Sequence, residues 1–175
     1  MQLHRTEMLT SPRGHLAVVT YVGVYPHEGE MRDLVLGLKY GKTRNNAFHL
    51  AKVLASHIPE LQHAGNILTW APTTSEHIRE RGMDHAELIA RHVGALTGQP
   101  VKKMLRRTSV SSQTGSGRSE RLARPQFVAR PLGGCRGVVV IDDVLTTGAT
   151  FRAAAMALVG AGADSVLCCA PSRTR

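Results

Sequence analysis

Cysteine is scarce in this chain: Cys135, Cys168 and Cys169 are the three in 175 residues. With no CxxC pair among them, a disulfide framework and a thiolate-built structural zinc site are both excluded. Free thiols fit a reducing compartment, so a cytoplasmic location is expected. Aromatic residues are also few, at 4%, with one Trp, three Tyr and three Phe. That excludes a base-stacking platform of the kind that holds single-stranded nucleic acid. No run approaches the roughly 20 apolar residues a membrane helix needs, so no membrane partner is expected. The first residues carry His4, Arg5, Glu7 and Arg13 without a clean apolar block, so no secretory signal is read there. Acids are outnumbered, 13 against 22 Lys and Arg, for a net charge of +9. A balance this basic points to polyanionic partners, either nucleic acid or phosphates on small molecules.

What is present reads as one globular domain. Apolar residues make up 42% and charged residues 20%, enough for a single core at this length. Residues 16–25 (LAVVTYVGVY) read as a strand. Met31, Leu34, Val35 and Leu38 lie at helical spacing, as do Ala47, Leu50, Ala51, Leu54 and Ala55 before the stop at Pro59. Residues 66–71 form a short buried strand ended by Pro72. Residues 83–97 place Ala86, Ile89, Ala90, Val93 and Leu96 on one helix face, with Gly98 as the stop. A short strand is expected around Val101. Residues 108–125 turn Ser-, Thr-, Gly- and Arg-rich and read as a long mobile loop. The continuous apolar run 137–141 is a central parallel strand, 149–161 a helix and 164–170 a last strand. This alternation predicts an α/β fold, a mostly parallel twisted sheet flanked by helices.

The chemistry concentrates in Val138 to Thr150, VVVIDDVLTTGAT. A buried strand meets two adjacent acids, then a hydroxyl- and glycine-rich turn, then a helix start. Such a turn gathers backbone N–H groups at the positive end of a helix and suits a phosphate. Thr146, Thr147 and Thr150 add hydroxyl donors, and Gly148 lets the backbone approach closely. Asp142 and Asp143 would repel that phosphate, so they face another part of the ligand. The vicinal hydroxyls of a ribose suit two carboxylates. The tail Gly41-Lys42-Thr43 is no Walker A loop, because its partner glycine would fall on Leu36.

This segment resembles the 5-phosphoribosyl-1-pyrophosphate (PRPP) loop of type I phosphoribosyltransferases. Further segments are similar to the ComF (competence protein F) family. They are Leu38-Lys39-Tyr40-Gly41, residues 77–91 (HIRERGMDHAELIAR), and Gln113 to Arg121 (QTGSGRSER). Met83-Asp84-His85 departs from that family's usual Phe-Asn-Gln, and Ser116 replaces a usual Leu. Members often begin with a four-cysteine zinc module, which has no counterpart in this sequence.

The resemblance implies a type I phosphoribosyltransferase-like domain over 1–175. It has a small N-terminal hood with the opening helices over about 1–60. The core spans about 61–175, with the PRPP loop at 138–150. It also implies PRPP or a ribose phosphate as ligand, with Mg held mainly by that ligand and water, and a phosphoribosyl transfer to an unidentified acceptor. Asp142 and Asp143 become the catalytic acids, and Thr146, Thr147, Gly148, Ala149 and Thr150 the 5-phosphate cradle. Pro72, Thr73, Thr74, Arg79, Arg81 and Lys39 become the pyrophosphate clamp. Arg118 and Arg121 would reach in from the mobile loop. No protein metal cage is expected. Thr146 stands where purine-salvage enzymes of this fold carry an Asp, which argues against hypoxanthine or guanine as acceptor. Dimers are common in the fold, so the resemblance also implies a homodimer.

A second reading is a non-catalytic accessory of DNA uptake. It would bind nucleic acid, single-stranded DNA or the competence machinery through the basic stretch 102–130. There eight Lys and Arg face Glu120 alone. His85 and His92, seven apart on one helix, lack a third ligand for a metal. Cys168 and Cys169, adjacent in a strand, point to opposite faces and read as packing residues.

Overall fold

The structure is a computed structural model that describes residues 3–41, 43–62, 66–108 and 126–174. Its frame is a six-stranded sheet built from β1 (Leu3–Thr10), β2 (Leu16–Pro26), β3 (Ile67–Trp70), β6 (Gly137–Ile141), β7 (Val144–Leu145) and β8 (Ser165–Arg173). The strand order is β1-β2-β8-β6-β3, with the short β7 also on β8. β1 runs antiparallel to β2, and the other neighbours are parallel. β4 (Leu105–Thr108) and β5 (Gln126–Ala129) make a separate antiparallel pair. The fold is therefore α/β with a mixed, mostly parallel sheet.

Both faces of the sheet are covered, which explains why its central strands are apolar throughout. On one face α5 (Ala149–Gly160) presses Phe151, Ala154, Ala155 and Leu158 against Val138, Val140 and Cys168. On the other, α1 (Gly29–Lys39), α2 (Asn46–His57) and α4 (His85–Thr97) cover Val139, Ile141 and Cys169. Adjacent Cys168 and Cys169 thus enter different cores, as strand alternation requires. Each fully buried Leu, Ile or Phe here contributes roughly 1.5–3 kcal/mol by leaving water.

The expected hood is corrected in its first part. Residues 3–26 belong to the main sheet, because β2 pairs with β8 from Val18 to Pro26 and carries β1 with it. The loop expected at 108–125 lies, apart from Thr108, outside the described residues. The strand expected near Val101 is one bridge, Leu68 to Val101, flanked by bonds from Leu68 N to Pro100 O and Lys102 N to Leu68 O. Helix α3 (Ser75–Arg81) was not anticipated. Thr74 caps it by accepting from His77 N, and Gly82, at φ 77°, ends it.

Gly94 shows how tightly α4 meets that bridge. A Cβ at this position would run into Val101 Cγ2 and come within 3.0 Å of Gln99 O. Gly94→Ala is expected to destabilise the protein by about 1–3 kcal/mol, although alanine is the better helix former. Urea unfolding checks this; an unchanged or raised midpoint would contradict the packing.

Candidate functional site

The parallel strands deliver the site from their carboxyl ends, where open α/β sheets bind ligands. β6 ends at Ile141, and Asp142 and Asp143 follow at once. β3, its neighbour, ends at Trp70 and runs into Ala71-Pro72-Thr73. The backbone ties these turns to the sheet: Asp142 N donates to Cys169 O at 3.2 Å and Ala71 N to Ile141 O at 3.0 Å. Between the turns lies a cavity of about 250 Å³. Asp142, Asp143, Lys39, Thr73, Arg81 and Thr150 line it, and so do His77, His85 and Arg107.

Charge in this cavity is dense and asymmetric. Asp142 Oδ1 accepts from Asp143 N at 2.8 Å. Burial holds the Asp142 carboxyl well above its ordinary range, and the charge of Asp143 adds to the rise. Asp143 is partnered instead: Lys39 Nζ reaches its Oδ2 at 2.9 Å. Lys39 ends α1, a position where a cation also suits the helix dipole. Burial lowers the His85 imidazole, while Asp143 pulls it the other way.

Asp84 secures the opposite wall. Its Oδ2 accepts from Thr73 N at 3.1 Å and its Oδ1 from Glu87 N at 3.4 Å. One carboxylate thereby caps α4 and pins the turn after β3. Burial raises its pKa, against these backbone bonds that lower it. Thr73 Oγ1 also lies 3.2 Å from His77 Nδ1.

The 5-phosphate candidates divide between two spaces. Thr150 faces the acids, whereas Thr146, Thr147, Gly148 and Ala149 line a second cavity of about 630 Å³. Gly148 adopts φ 78° and begins α5, and Ala149 N donates to Thr147 Oγ1 at 3.4 Å. The far wall comes from β1, β2 and α5: Arg5, Glu7, Tyr21 and Arg152. Glu7 Oε1 accepts from Tyr21 Oη at 2.7 Å and from Arg152 at 2.6 Å. The Tyr21 hydrogen bond is the chief cause that holds Glu7 below its usual range, and burial together with Glu7 pushes Tyr21 up.

Some expected residues stand elsewhere. Arg79 is exposed and turns its Nε back to Ser75 O, 3.4 Å away. Thr74 caps α3 and does not line the acid cavity, and Pro72 is buried at its wall. Arg118 and Arg121 lie outside the described residues. His92 sits edge-on to Phe48, 5.6 Å between ring centroids, apart from the site that His85 lines. Asp84, His77, His85, Arg107 and the Arg5–Glu7–Arg152 group were missed as site residues. Asp84 had one readable signal, an acid three residues before Glu87 at a helix start.

Among the described residues no three His, Cys, Asp or Glu side chains gather as metal ligands. Nor, among them, is any helix long and apolar enough to cross a membrane. Comparison with protein-family models and with curated proteins gives no match. The ComF resemblance therefore stands on the residues quoted for it.

Proposed function

We propose that the chain is a phosphoribosyltransferase-like protein of the type I fold that binds PRPP with Mg and transfers its phosphoribosyl group to an acceptor nucleophile. One observation carries the reading. Two adjacent carboxylates at the end of a central parallel strand share a cavity with the turn of the neighbouring strand and with Lys39, Arg81 and Arg107. Acids for ribose hydroxyls and cations for a diphosphate then lie within one ligand's length.

In the transfer, the bond from ribose C1 to the pyrophosphate oxygen breaks, its electron pair leaves with pyrophosphate, and C1 bonds to the nucleophile. Asp142 and Asp143 accept from the ribose hydroxyls and offset positive charge growing on the ring. Arg81 and Arg107 draw the leaving diphosphate. Lys39, held on Asp143 without ligand, is within reach of the same anion. Mg would be held mainly by oxygens of the ligand and by water, since no three His, Cys, Asp or Glu side chains among the described residues gather to cage it. Bound so, Mg neutralises charge on the diphosphate.

Titration calorimetry of PRPP with Mg²⁺ tests the reading directly. Within it, Lys39→Met is expected to weaken PRPP about 10- to 100-fold, the worth of a charge-assisted contact of about 1.5–3 kcal/mol. Unchanged affinity would remove Lys39 from the ligand's contacts.

The DNA-uptake reading draws on Lys102, Lys103, Arg106 and Arg130, all exposed. Arg107, counted in the same stretch, does not join them. Its guanidinium lies 5.7 Å from the Phe127 ring centre, and Nη1 points to Pro72 O at 3.5 Å. This favours the small-molecule site.

A further inference from the structure

Most groups around the acid cavity already have a partner or a place on the ligand. Both oxygens of Asp84 accept from backbone N–H groups, and His77 Nδ1 meets Thr73 Oγ1 at 3.2 Å. Asp142 and Asp143 stand for the ribose hydroxyls, and Lys39, Arg81 and Arg107 are standing cations. His85 differs from all of these. It begins α4, lines the cavity and is only 5% exposed. Neither of its ring nitrogens has a hydrogen-bond partner among the described residues. A buried polar group left this way costs free energy that an incoming ligand recovers by bonding to it.

The surroundings of the ring indicate which ligand group it meets. Burial disfavours its cationic form, and so do Arg81 on α3 and Lys39 at the end of α1. Asp143, in the turn after β6, opposes them without prevailing. Asp142, His77 and Arg107 belong to the same cavity wall, and Asp84 and Glu87 flank His85 at its own helix start. Without ligand the site therefore holds a neutral imidazole beside Arg81 and Lys39. A diphosphate reverses this balance: it brings negative charge to the same cations and offers oxygens to an N–H. The segment that resembles ComF has His85 where that family usually has Gln. Gln can donate to an oxygen, but only His can also take up a proton.

We propose that His85 is a binding residue for the diphosphate: as that anion enters, the ring takes a proton from solvent and holds a phosphate oxygen as an imidazolium. The inference rests on the reading that this cavity takes the diphosphate of PRPP, and it adds that binding is linked to pH. The complex then holds more protons than the free chain. Affinity is greatest in mild acid and falls as pH rises through the pKa of the ring in the complex.

Calorimetry at neutral pH counts the proton directly, because the heat of binding varies with the ionisation enthalpy of the buffer in proportion to protons taken up. The probes are PRPP and inorganic pyrophosphate, each saturated with Mg²⁺ beforehand. The wild type is expected to take up roughly half a proton or more per ligand, and to lose about threefold or more in affinity per unit of rising pH. His85→Gln is expected to bind both probes with that proton missing. No uptake in the wild type, or equal uptake in His85→Gln, overturns the proposal. Should a thermal melt show His85→Gln to be unfolded, His77→Gln decides instead: uptake persists there if His85 carries the proton, and its loss overturns the proposal in favour of His77. The proposal and the PRPP reading fail separately. Pyrophosphate that binds with the His85-dependent proton while PRPP does not bind removes the PRPP reading alone. PRPP that binds without that proton removes the role of His85 alone, and binding of neither probe removes both.

Discussion

Asparagine at both acids, Asp142→Asn with Asp143→Asn, is expected to abolish PRPP binding while leaving the protein as stable as before or more so. A carboxylate can accept from two ribose hydroxyls, and a charged hydrogen bond of this kind contributes about 1.5–3 kcal/mol. Losing two should cost more than about a hundredfold in affinity. Stability moves the other way because Asp142 is crowded: burial, Asp143 and Asp84 all raise its carboxyl pKa. A folded-state pKa above the unfolded one means that the native chain binds more protons across the interval. Stability is then fully present below the unfolded value and is lost as pH rises through the folded one. Asp142→Asn removes that loss, and its amide oxygen still accepts from Asp143 N. Asp143→Asn gives up the Lys39 pair, whose side chains are only 22% and 14% exposed, and this loss offsets part of the gain at Asp142. The variant's melting temperature should match or exceed wild type at neutral pH, and its advantage should vanish in acid. Binding that survives both substitutions would sink the ribose assignment, and a large fall in melting temperature would show the acids to be structural.

How far the sequence could be read depended on whether a signal was local. The run from Val138 to Thr150 carries strand, acids, turn and helix start within thirteen residues, and each appears where its neighbours dictate. Gly98 ends α4 in the left-handed conformation its position predicted. β1 gave no such signal. His4, Arg5, Thr6 and Glu7 offer no apolar alternation, and the strand exists because β2 provides a ladder for it. α3 escaped notice for a related reason: none of its residues is buried, so it has no apolar face to count. Side-chain direction on that helix also decided between two arginines. Residues two apart are turned by about 200°, so Arg81 faces the cavity and Arg79 does not. Arg107, His85 and Arg5 reach their cavities through contacts distant in the chain, which no spacing rule encodes.

Asp84 tests the support of the site rather than its chemistry. Asp84→Ala is expected to lower stability by about 2 kcal/mol, a net of opposing effects. Loss of the α4 cap costs about 1 kcal/mol, and leaving Thr73 N–H unpaired in a partly buried turn costs about 1–3 more. Removing a carboxylate whose burial raises its pKa gives part of this back at neutral pH. For a chain of this length the fall in melting temperature should be about 4–8 °C. The pH dependence fixes the sign. As pH falls through the raised Asp84 pKa, the wild type regains the stability that its buried charge cost, and alanine has nothing to regain. The gap between the two should therefore widen in mild acid. Asp84→Asn keeps the shape and one carbonyl acceptor, so it should lose less and retain more PRPP affinity than alanine, whose turn after β3 is no longer pinned. Thermal melts of both variants across pH, with PRPP titrations beside them, separate these effects. An alanine variant as stable as wild type would mean that the turn holds itself, and that Asp84 is neither cap nor anchor.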